Sequence, residues 1–157
     1  MNPADYQPRT FLWKQGDWRW GYKKIGMSGL LVKNYGCAIL SVNYLNCRRA
    51  NERYTPDRFI DWLNVNAKAA RYQKYLAPGG ELYWNAINEY SGGKMLHTYD
   101  VSEARYSVMQ VKWGNYLHWI ACLNDDLAYD PWDGQIKKRI QPYWYATGRK
   151  IYFKVVK

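Results

Sequence analysis

The sequence predicts an α+β fold, with N-terminal helices packed on a C-terminal antiparallel sheet. Two observations carry this. Between Gly36 and Ala50 apolar residues recur at helical spacing, whereas from about Ala104 they recur at every second position. Signals that segregate along the chain in this way belong to α+β architectures. A third observation bounds the size. The chain has 157 residues, 48% hydrophobic and 23% charged, which suits one core but not two domains of ordinary size, so residues 1–157 read as a single domain.

Residues 1–36 carry no periodicity and read as irregular. After Gly36, the run CAILSVNYLNCRRAN sets Cys37, Leu40, Tyr44 and Cys47 on one stripe, which Ala38, Ser41, Val42 and Leu45 widen. That pattern predicts a helix from near Gly36 to about Ala50, buried on most of its circumference. In YTPDRFIDWLNVN, Thr55 is placed as an N-cap, Pro56 as the first helical residue and Asp57 in the first turn, so a second helix is expected over about 56–65. Pro78, Gly79 and Gly80 break the chain, and Glu81 to Tyr90 reads as a third helix with Leu82, Ala86, Ile87 and Tyr90 on one face. The strands follow as RYSVMQVKW, NYLHWIACL, LAYDPWDG and RKIYFKVVK, the second and third joined as a hairpin across Asn124 to Asp126.

Composition narrows the classes of function. A net charge of +10, with 16 Tyr and 9 Trp against 3 Phe, suits an anionic polymer, nucleic acid or cell wall, because cations attract it at distance and amphipathic rings stack on it in contact. The same composition also describes a small basic protein with Tyr and Trp in its core. No helix-turn-helix, zinc-finger or RNP-like motif supports nucleic acid as the partner. No apolar stretch is long enough for a membrane span, and the first residues lack a signal-peptide layout, so synthesis in the cytoplasm without Sec export is expected. Cys37, Cys47 and Cys122 are odd in number and lack metal-ligand spacing, which argues against a disulfide framework or a zinc site.

Three residue types stand where nucleophilic chemistry would need them. Cys37 follows a glycine at a helix start, where the free N–H groups and positive helix end favour a thiolate. Cys47, late in the same helix, and Cys122, inside a strand, read as core. His118 lies within a strand, a rigid place for a base facing Cys37, whereas His97 falls in a loop-like stretch and reads as a surface residue. Asp130 closes the hairpin, 12 positions after His118, and its carboxylate is placed to orient the imidazole; Asp133 is the alternative.

The order Cys, His, Asp on a helix start and later strands resembles papain-like folds. More specifically, Gln15-Gly-Asp-Trp-Arg-Trp20, Lys24-Ile-Gly26, Asn34-Tyr-Gly-Cys37-Ala-Ile-Leu-Ser41, His118-Trp-Ile-Ala and Asp130-Pro-Trp-Asp-Gly134 resemble the bacteriocin-processing (double-glycine leader) cysteine peptidase family. The likeness is to its peptidase-like branch, found in bacteria and phages. The resemblance implies a papain-like fold with Cys37 as nucleophile, His118 as general base and then acid, Asp130 as orienting carboxylate, and Gln15 as an oxyanion-hole donor beside the backbone N–H of Cys37. Read from the residues alone, Gln15 is a polar side chain in an aromatic loop, more often solvent-facing. The chemistry implied is amide hydrolysis through a thioester, with no cofactor or metal. Peptide or the peptide part of peptidoglycan is the expected substrate, with release by lysis or carriage among phage virion proteins as the expected setting. A catalytically inert papain-like structural or binding module is the alternative. Residues 51–99 carry no motif of the family.

Overall fold

The computed structural model describes residues 11–69 and 74–157, so only part of the expected irregular segment, residues 11–36, lies within it. Among the described residues, four α-helices precede a six-stranded sheet: α1 (Val32–Tyr35), α2 (Cys37–Ala50), α3 (Pro56–Ala69), α4 (Ala86–Tyr90), β1 (Met95–Thr98), β2 (Tyr106–Trp113), β3 (Tyr116–Cys122), β4 (Leu127–Asp130), β5 (Gln135–Lys138) and β6 (Tyr145–Val155). Every strand pairing is antiparallel and the order is β1-β6-β2-β3-β4-β5, so the fold is α+β.

The long helix forms where its pattern places it. α2 begins at Cys37 and stops at Asn51, which turns into the left-handed region at φ 52°, while Arg48 and Arg49 face the negative helix end. α3 begins at Pro56 as expected but runs to Ala69, its buried stripe of Phe59, Ile60, Leu63 and Ala67 carrying it past the expected end at 65. The expected helix over 81–90 keeps only its second half. Leu82 pairs instead with Leu76 in an isolated bridge.

Two strands were not expected, β1 and β5, and β6 starts at Tyr145 where the pattern suggested 149. β1 takes in His97, which is half-buried against Phe153 (ring centroids 6.0 Å) and not the surface loop residue its sequence context suggested. Its burial disfavours the protonated imidazole, lowering its pKa.

The sheet has two differently used faces. Val108, Ala121, Tyr129, Ile136 and Phe153 join the main core with α2 and α3, where Tyr44 stacks on Tyr129 at 4.2 Å between ring centroids. Ser41 on α2 donates from Oγ to the carbonyl of Trp119 at 3.2 Å, tying the helix to β3. Val111, Ile120, Ala128 and Trp144 form a smaller cluster on the opposite face. Because side chains alternate along a strand, that second face also receives His118, Asp130 and Lys137.

Candidate active site

Cys37 owes its position to one glycine. Gly36 ends α1 by donating to Val32 O at 2.8 Å and begins α2 by accepting from Leu40 N at 3.0 Å, so two helices meet at a single residue. A Cβ there would stand 2.6 Å from Val32 O and 2.7 Å from Val32 Cγ1. Only glycine fits the joint, and the joint aims the first residue of α2.

His118 and Asp130 are brought together by strand register. Ala121 pairs with Tyr129 and Cys122 with Ala128, which sets Asp130 opposite Ile120 and diagonal to His118 on the same face. His118 Nε2 lies 2.7 Å from Asp130 Oδ1. A carboxylate accepts only, so Nε2 carries the proton. Cys37 is the second group that acts on the His118 imidazole, so the three side chains interact as one group. Burial works against protonating this imidazole, but the hydrogen bonds and charges of Asp130 and Cys37 outweigh it and raise its pKa to about 9.

Asp130 is almost wholly buried, at 3% exposure, which by itself would favour its neutral form. His118, Lys137 and the N–H of Trp132 reverse that and hold its carboxyl below the usual range. Trp132 N donates to Oδ1 at 2.9 Å, and Lys137 Nζ donates to Oδ2 at 2.9 Å. Asp133, the alternative orienting residue, accepts from the same ammonium at 2.6 Å, and it is Asp130 that meets the imidazole. The ring of Trp144 covers this group, 6.4 Å from the His118 ring and 5.6 Å from Lys137 Nζ.

Gln15 corrects the solvent-facing reading, since it is 1% exposed. Its backbone N–H donates to Pro131 O at 2.7 Å, beside Asp130, and its Nε2 donates to Lys33 O at 2.9 Å, four residues before Cys37. Its Oε1 is buried without a hydrogen-bond partner. The amide is thus held between the α1–α2 segment and the turn after β4. Lys137 and Trp144 were missed by sequence reasoning. Lys137 is one lysine among many, and Trp144 one ring in PYWYATG, so neither carries a local signal.

The other two cysteines keep their expected place in the core. All three are free and buried; Cys47 lies 3.3 Å from Tyr54 O, and burial pushes its thiol up to about 12. Among the described residues no group of three or more His, Cys, Asp and Glu is placed to hold a metal ion, and no helix is long and apolar enough to cross a membrane. No protein-family model, curated protein or solved structure matches this chain.

Proposed function

We propose that the chain is a papain-like cysteine peptidase or amidase that hydrolyses peptide bonds through a thioester. The observation that carries this reading is the His118–Asp130 hydrogen bond of 2.7 Å with Cys37 on the same imidazole. His118 holds the proton that the Cys37 thiol has given up, and the thiolate attacks the carbonyl carbon. As the tetrahedral intermediate collapses, the imidazolium gives its proton to the leaving amine, leaving an acyl thioester on Cys37. Water, deprotonated by His118, then attacks the thioester and releases the carboxylic acid and the free thiol. Nε2 stays on Asp130 throughout, so Nδ1 is the nitrogen that exchanges protons with sulfur. The Gln15 amide has a second N–H beyond the one given to Lys33, and with the N–H groups of the first turn of α2 it supplies donors for the oxyanion. The substrate class is peptide, including the peptide part of peptidoglycan, in a bacterial or phage setting as the motif resemblance implies.

Two observations favour a second reading, an inert papain-like module such as a virion component: Gln15 Nε2 is already engaged by the Lys33 carbonyl, and Cys37 is only 9% exposed. The deciding experiment assays wild type and Cys37→Ala on casein, a peptide library and purified peptidoglycan, with melting curves alongside. Cleavage by wild type alone supports the peptidase. No cleavage in any set, or equal cleavage by the variant, leaves the inert module.

A further inference from the structure

The three hydrogen bonds on Asp130 divide its carboxylate unequally. Oδ1 accepts from His118 Nε2 at 2.7 Å and Trp132 N at 2.9 Å, while Oδ2 accepts from Lys137 Nζ at 2.9 Å. Lys137 pairs across the sheet with Ala128, two residues before Asp130, and so reaches the carboxylate along one face. Its side chain is only 19% exposed, and its ammonium is gripped by Asp133 at 2.6 Å on its other side. With Oδ2 unheld, only the two bonds on Oδ1 would resist the rotation about Cβ–Cγ that exchanges the oxygen given to the imidazole.

We propose that Lys137 is a positioning residue for His118: clamped between Asp130 and Asp133, its ammonium fixes which carboxylate oxygen meets the imidazole and offsets part of that carboxylate's charge. The proposal rests on the peptidase reading only for its kinetic consequence, since the electrostatic one exists with or without turnover. The charged and titratable groups on this cluster are Cys37 from α2, His118 from β3, Asp130 from β4, Asp133 from the turn and Lys137 from β5. Removing Lys137 leaves a net negative environment around the imidazole, which favours its protonated form. His118 should therefore titrate at higher pH, and the alkaline limb of any Cys–His activity profile should move up with it. A residue that merely packed would shift neither.

The test is an NMR titration of His118 in the full chain, comparing wild type, Lys137→Met, Lys137→Gln and Lys137→Arg. His97, the only other histidine, serves as internal reference. The expected result is an upward shift of His118 on the order of half a pH unit or more in the Met and Gln variants, with return toward wild type in Arg, which keeps the charge. On a cleaved peptide, kcat should fall about tenfold in Met and Gln with KM little changed, and recover in Arg. The Gln variant keeps a polar group at the site should Met not fold. An unchanged His118 titration in both neutral variants overturns the inference, as does an equal shift in the Arg variant. Absence of any peptide cleavage by wild type would instead overturn the peptidase reading, with the titration still deciding the role of Lys137.

Discussion

His118 Nε2 and Asp130 Oδ1 lie 2.7 Å apart, joining residues 12 positions apart in sequence across the β3–β4 hairpin. This bond fixes the imidazole with Nε2 protonated and Nδ1 turned to its other partner. In the proposed peptidase, Asp130→Asn should therefore slow turnover by about 10²-fold or more without abolishing it, because an amide that donates to Nε2 selects the wrong tautomer while the proposed nucleophile remains. Steady-state kinetics of the folded variant check this, and turnover within threefold of wild type would count against the orienting role.

Cys37 should be the first cysteine alkylated by iodoacetamide at neutral pH. It alone has an imidazole partner, whereas the Cys47 thiol is fully buried and pushed up to about 12. Peptide mapping by mass spectrometry after brief labelling reads the result. Labelling of Cys47 or Cys122 at the same rate in the native protein would oppose it.

Stability should fall on the alkaline side. The His118 pKa is about 9 in the folded chain against about 6.5 unfolded, so its contribution is complete below about pH 6.5 and lost as pH rises toward 9. The loss is of order 3 kcal/mol for a shift of that size. Asp130, held below its usual range, contributes in the opposite sense and is lost only in acid. Denaturant unfolding across pH should thus show its maximum between about pH 4.5 and 6.5. A flat curve from pH 6.5 to 9 would contradict this.

Gly36→Ala should destabilise the fold by about 2 kcal/mol or more, because its Cβ would sit 2.6 Å from Val32 O and 2.7 Å from Val32 Cγ1. The strain can relax only by moving α1 against α2, which displaces Cys37. Melting temperature and Cys37 alkylation rate should fall together, while Gly16→Ala, with nothing within 4 Å of its Cβ, should change neither.

The elements legible in the sequence are those whose signal is local. α2 shows as an apolar stripe after a glycine, the start of α3 as Pro56 with Asp57, and β2 to β4 as alternation interrupted by Asn124 to Asp126. β1 and β5 were not legible because each has four residues and sits at an outer edge of the sheet, held by hydrogen bonds to β6 and β4 and not by a pattern of its own. The first half of the expected third helix failed for a related reason: Leu82 finds a bridge to Leu76, and that contact outweighs a weak helical periodicity.

The sequence by itself determined the types and order of the chemistry-bearing residues, a cysteine at a helix start and a histidine on a strand, since these follow from near-neighbour spacing. Tertiary structure decided between Asp130 and Asp133, buried Gln15 against Lys33, and recruited Lys137. Each of these depends on which strand lies beside which and in what register. A shift of one residue would turn every side chain of β4 to the other face, and no local pattern in YDPWDG specifies that choice.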